Sequence, residues 1–219
     1  MTTSPKAPIS RTEAVPQLVA ATGGAVMVGV LFLIMPGELI VGANWLPLAV
    51  VIILSVPALG LLFFSESGAV HRLIRPFTLT LLGLLTLALI ASLILLIHGL
   101  QVITRGADLL KPAALLWAIN VVIFAIWYWE VDGDGPVGRH RRRHEAADFQ
   151  FPQQAGGNTT QWVPAYIDYL FLAFCTATAL SPADTLPLTR RVKLLMMAES
   201  IGSMLILVML IARSINIIH

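Results

Sequence analysis

Residues 76–102 read PFTLTLLGLLTLALIASLILLIHGLQV, 27 positions in which His98 is the sole ionisable side chain. A helix needs roughly 20 apolar residues to cross the hydrocarbon core of a bilayer, and this run exceeds that length. Four more stretches match it: Val15–Met35, Asn44–Phe64, Leu109–Trp129 and Val192–Ile218. In lipid, only helices and closed barrels satisfy every backbone N–H and C=O. Barrel strands would alternate with a period of two, and these runs do not. The whole chain agrees, with 57% apolar and 12% charged among 219 residues, where a soluble domain carries about 25% charge. The expected fold is all-α, a polytopic transmembrane helical bundle with five spanning helices.

The organisation follows from these runs. A cytoplasmic tail over 1–14 leads into a three-helix membrane half over 15–104. A second half over 105–219 then holds a helix, a polar basic loop (130–163), a short helix (165–180), a loop and the final helix. Lys6 and Arg11 before the first run imitate a signal peptide, but the run is too long and meets Gly37-Glu38-Leu39 without a small-residue cleavage pattern. It is expected to stay as the first span. Ala20 with Gly24, and Ala25 with Gly29, place small residues four apart, which lets helices approach closely inside the chain or between two copies. Pro57 is expected to kink the second span. Trp45, Trp117, Trp162 and the Trp127-Tyr128-Trp129 cluster read as interfacial anchors. Cys175 is the single cysteine, so an intrachain disulfide and a thiolate zinc cluster are excluded.

The sixth apolar segment is different. Ala165–Leu180 lies between Pro164 and Pro182 and as a helix covers about 24 Å, short of a ~30 Å core. It is expected to be a re-entrant, pore-helix-like segment, with a tilted span as the alternative. Lysine and arginine counts bear on orientation. Lys6 and Arg11, Arg72 and Arg75, and Arg139 with Arg141, Arg142 and Arg143 all fall on one side, against Arg105 and Lys111 on the other. The amino terminus is therefore expected in the cytoplasm of a cell-membrane protein. Arg190, Arg191 and Lys193 join that side only if the sixth segment re-enters.

The stretch from Tyr166 to Thr189 holds a short helix, threonines, a proline-containing turn, Asp184 and a long apolar helix. It resembles the two-helix pore module of tetrameric potassium channels. The resemblance covers roughly the last hundred residues, with Leu109–Trp129 as outer and Val192–Ile218 as inner helix. It places Asp184 on the filter aspartate, Pro187 and Thr189 on a Pro-x-Thr, and Thr176 and Thr178 at the end of the pore helix. Where the family has Gly-Tyr-Gly, however, this chain has Ser181-Pro182-Ala183. Proline fixes φ near −65°, so the carbonyl ladder that replaces an ion's hydration shell is not copied. The charged linker also votes for the opposite side from the channels' extracellular linker. The whole chain is further similar to a group of uncharacterised bacterial multi-pass integral membrane proteins, on the runs Tyr128–Pro136 and Asp148–Gln153 and the segment ending in Arg190-Arg191. That resemblance implies a cell-membrane location and no established activity.

Other constellations give weaker signals. Glu130-x-Asp132-x-Asp134-Gly135 begins like a calcium loop, but that loop's twelfth position is Arg141 rather than glutamate, and a glycine-rich turn is the expected reading. The Arg139, Arg141, Arg142 and Arg143 cluster is expected to fix topology and face anionic lipid headgroups. Asn158-Thr159-Thr160 is a glycosylation sequon without meaning in a cytoplasmic loop. Intramembrane polar residues carry a functional default: Asn120 is expected to hydrogen-bond across helices, and Glu199 and Arg213 to snorkel or meet another helix. No catalytic triad, metal-spaced cluster or phosphate-binding loop stands in the sequence, so neither enzyme activity nor a cofactor or metal is expected.

The expected function is a pore-loop-like membrane protein in which Thr176, Thr178, Ser181, Asp184 and Thr185 line a polar cavity. It is read as ion-channel-like without a potassium filter, or as a non-conducting relative. The alternative is a structural or accessory subunit binding a partner protein. The expected partners are the lipid bilayer and further copies of the chain, with no nucleic acid.

Overall fold

The computed structural model describes residues 11–53, 55, 68–99, 107–158, 162–178 and 184–215. The long helices are α1 (Arg11–Ile34), α3 (Gly68–Gly99), α4 (Ala107–Val131) and α7 (Arg190–Ile215). Between them lie α2 (46–53), α5 (Gly135–Arg141) and α6 (Tyr166–Ala177). A small antiparallel ribbon joins β1 (Phe149–Gln150) to β2 (Leu186–Pro187), with Phe149 opposite Pro187 and Gln150 opposite Leu186. Short 3-10 turns occupy Gly37–Leu39, Asp132–Asp134 and Pro152–Gln154.

Among the described residues three helical stretches are long and apolar enough to cross a membrane: Arg75–Gly99, Leu109–Arg141 and Arg190–Ile211. The protein is a helical membrane protein on that ground. The side chains of α7 agree, because Leu194, Met197, Ile201, Met204 and Val208 are all exposed. So continuous an apolar face suits lipid and not water. Of the second expected span, Asn44 and Trp45 form a turn and residues 46–53 and 55 are helical; the rest, with the kink expected at Pro57, lies outside the described residues.

α4 is the central helix. Its Leu116, Ile119 and Ile123 pack with Val28 and Phe32 of α1, Leu82, Leu85 and Leu89 of α3 and Ile206 of α7. Its Val121, Phe124, Tyr128 and Trp129 pack with Tyr169, Leu172 and Ala173 of α6, and with Phe149 and Phe151. The small residues of α1 serve this packing. A Cβ on Gly24 would fall 2.6 Å from the Tyr166 hydroxyl, and one on Gly29 would fall 2.9 Å from the Leu48 backbone.

Contacts along α4 fix the direction of its neighbours. The Trp129 ring meets Tyr166 and Tyr169 at 6.1 and 5.4 Å, whereas Phe174 meets Trp117 at 5.7 Å. α6 therefore starts beside the end of α4 and runs back along it. α7 does the same: Arg191 pairs with Asp134 and Asp148, and Ser203 reaches Asn120. Arg75, near the start of the apolar part of α3, also pairs with Asp134. One end of the bundle, here termed the cap end, thus gathers the end of α4, the starts of α6 and α7, Arg75 of α3 and the β ribbon.

Two expected boundaries change. The short helix covers Tyr166–Ala177 rather than 165–180, and its 12 residues reach about 18 Å. The expected polar basic loop over 130–163 is largely folded, with α4 continuing to Val131 and α5, β1 and a 3-10 turn following. A chain that buries Asp132, Arg139, Asp148 and Gln154 must pair those groups, and the resulting bonds hold it in place.

Candidate functional site

Two polar constellations stand out, one at the cap end and one inside the bundle. The cap begins with a reversal after α4, where Gly133, Asp134 and Gly135 have φ of 58°, 66° and 84°. Gly138 lies directly under it; a Cβ there would sit 1.9 Å from the Gly133 carbonyl oxygen. This close approach turns α5 back beneath α4 and inserts Arg139. The Arg139 Nη1 donates to the carbonyls of Trp129 (2.5 Å) and Asp132 (3.0 Å), and its guanidinium carbon lies 4.4 Å from the Trp129 ring centroid and 5.2 Å from that of Tyr169. It satisfies carbonyls that the end of a helix leaves unpaired, with cation–π contact on two rings.

Two carboxylates complete the cap. Asp132 accepts from the N–H groups of Asp148 (3.0 Å) and Phe149 (3.1 Å) and from the Tyr169 hydroxyl (2.6 Å). Asp148 accepts from the Gly133 N–H (2.9 Å), the Thr189 hydroxyl (2.6 Å), and Nε (2.7 Å) and Nη2 (2.5 Å) of Arg191. The pair therefore ties the end of α4 to α6, the ribbon and the start of α7. Burial alone would raise the Asp148 carboxyl, but the bonds from Arg191, Thr189 and Gly133 outweigh it and hold the group below the usual carboxylate range. Asp134 is exposed and meets Arg75 (3.3 Å), Arg191 (3.4 Å) and Arg142 (3.6 Å).

The interior constellation joins α4, α6 and α7. Asn120 Nδ2 donates to the Glu199 carbonyl (3.1 Å) and to Ser203 Oγ (2.9 Å), the interhelical bonding expected of it. Gly202 gives Asn120 room, since a Cβ there would lie 3.1 Å from Asn120 Oδ1. The Tyr128 hydroxyl donates to Glu199 Oε2, and Thr176 of α6 lies close by with its own hydroxyl bonded to the Leu172 carbonyl. Glu199 is fully buried, and its Oε1 has no hydrogen-bond partner among the described residues. It meets another helix, as expected of it.

The other expected site residues are scattered. Thr178 is half-buried and bonds back to the Phe174 carbonyl at 2.8 Å, as Thr176 does to Leu172 at 2.9 Å. Asp184 is exposed and Thr185 half-buried just before β2, while Ser181 and the side chain of Arg213 lie outside the described residues. The arginine cluster divides: Arg141, Arg142 and Arg143 are exposed, but Arg139 is buried. An arginine whose head is enclosed by Trp129, Tyr169 and two carbonyls does not face lipid headgroups, so Arg139 leaves that group. In the Glu130–Gly135 run, Asp132 turns inward to backbone N–H groups while Asp134 faces outward. Among the described residues no three acidic, histidine or cysteine side chains converge as a metal site.

Sequence reading missed Tyr128, taken as an interfacial anchor, and the Asp132–Asp148–Arg191 tie. The available signal was the density of glycine and aspartate after α4, which marks a reversal but not its distant partners. Compared with protein-family models, curated proteins and solved structures, the chain matches none.

Proposed function

We propose that the chain is a five-span membrane protein with a pore-loop hairpin, and that the returning arm of the hairpin lines a polar path for small ions. One observation carries this reading: α6 runs from the cap end into the bundle, yet β2 and the start of α7 are back at the cap end. The eight steps from Thr178 to Leu186 span up to about 26 Å when extended, enough to retrace the ~18 Å of α6. Non-helical backbone at membrane depth is tolerated where it is buried in protein or lines a water-filled cavity. The resemblance to a pore module supports the same reading, without a potassium filter. Its hairpin enters from the cap end.

Charge supports a cytoplasmic cap. Arg11, Arg72, Arg75, the residues Arg139–Arg143, Arg190, Arg191 and Lys193 all belong to chain segments at or next to that end, whereas Lys111 belongs to the other. On this reading the amino terminus is cytoplasmic and the carboxyl terminus outside. Ile167, Phe171 and Phe174 form an exposed apolar row on α6, a face for further copies around a shared path. The test is ion flux in liposomes holding the purified full-length chain. The expected result is flux that Asp184→Asn alters. Absence of flux for both monovalent cations and anions, with stoichiometric co-purification of another protein, would instead establish an accessory subunit.

A further inference from the structure

We infer that Glu199, together with the Tyr128 hydroxyl, forms an exchangeable proton-binding site inside the bundle. The inference needs α7 to cross the membrane but does not depend on hairpin re-entry or ion flux. Its basis is geometric. Glu199 is fully shielded, one carboxyl oxygen accepts from Tyr128, and the other has no partner among the described residues.

Among the described residues no cation stands beside it. α4 bears no charged side chain between Lys111 and Glu130, α6 none after Asp168, and α7 none but Glu199 between Lys193 and Arg213. Lys193 lies six residues earlier, about 9 Å along the helix. The described group that meets the carboxyl is neutral, Tyr128 from α4, while Asn120 is occupied with the Glu199 carbonyl and Ser203 Oγ. An unpaired carboxylate is very costly in such surroundings, so the group takes a proton instead.

Glutamine in this place would supply permanent neutral hydrogen bonds. A carboxyl adds one property, a proton that can leave. The step is simple: a proton adds to the carboxylate to give the acid, and its departure restores the carboxylate, with no other bond changed. Tyr128 reaches the carboxyl from α4, so a neutral donor on a second helix holds Glu199 in place. Tyr128 is a positioning residue here: it orients the carboxyl and does not itself hold the exchanged proton.

The experiment is infrared difference spectroscopy of the full-length protein in lipid, wild type minus Glu199→Gln, across a pH series in H2O and D2O. The expected spectrum contains a protonated-carboxyl band that shifts in D2O and falls about tenfold per pH unit on the alkaline side of its midpoint. Tyr128→Phe moves that midpoint. A carboxylate band at every pH overturns the inference, as does an acid band that neither titrates nor exchanges in D2O. The wild-type chain alone gives a second readout: a hydrophobic carbodiimide forms an adduct at Glu199 whose yield follows the same midpoint, and a yield flat across the series also overturns it.

Discussion

Replacing Asp148 with alanine removes the acceptor of four hydrogen bonds at the point where α4, the ribbon and α7 meet. The magnitude depends on which donors can find water. The Gly133 N–H is buried and loses its Asp148 acceptor, which costs roughly 1–3 kcal/mol. The Thr189 hydroxyl is half-buried and loses about 1 kcal/mol. Arg191 is 49% exposed, so its loss is discounted to about 0–1 kcal/mol. The total is about 3 kcal/mol, or a fall in Tm of roughly 6–12 °C for a chain of this size. Asp134→Ala is the comparison, because that carboxylate meets three arginines yet is 45% exposed, and screened pairs of this kind contribute about 0–1 kcal/mol. Thermal unfolding in detergent, followed by circular dichroism, reads both variants. If Asp134→Ala lowers Tm as much as Asp148→Ala, buried acceptor geometry is not what holds the cap. The same carboxylate sets an acid limit. Its folded value lies below the unfolded value of about 4, so its contribution is complete above that pH and disappears as pH falls through the lowered folded value.

Three further substitutions probe other parts of the account. Gly138→Ala forces a Cβ against the Gly133 carbonyl and is expected to cost more than about 2 kcal/mol, read as early proteolysis of the 133–147 region. Arg139→Lys keeps the charge but loses the planar stack on Trp129 and the paired carbonyl contacts; a loss of about 1–3 kcal/mol is expected, and an unchanged Tm would mean that charge alone suffices. Asn120→Ala removes the bonds between α4 and α7 and should cost about 0.6–1.7 kcal/mol in lipid, measured by unfolding from bicelles or mixed micelles.

The parts of the fold that were legible in sequence are those that local composition determines. Long uncharged runs located α1, α4 and α7 to within a few residues at the described ends, the helix α3 begins at least eight residues before its expected start at Pro76, and the flanking prolines isolated α6. Asn120 was legible because an amide within an apolar helix has few partners other than a neighbouring helix. The cap was not. Asp132 and Asp148 are 16 positions apart, and Arg191 is 43 beyond Asp148; charge composition in that region reads equally well as a solvated loop. Arg139 was grouped with Arg141, Arg142 and Arg143 because sequence gives a shared charge, whereas the reversal at Gly133–Gly135 turns only Arg139 inward. Glu199 stands out as a lone acid in an apolar run, but Tyr128 is hidden inside an aromatic cluster that suits an interfacial belt just as well.

The hairpin path of residues 166–189 is the claim on which the functional reading rests. Its most direct test compares the sidedness of a reporter fused before Met1 with one fused after His219, in otherwise intact chains. Reporters in opposite compartments, with the amino-terminal one sharing the side of the Arg141–Arg143 segment, are the predicted result. Both reporters in one compartment would mean that α6 and the residues after it cross the membrane, contradicting the hairpin.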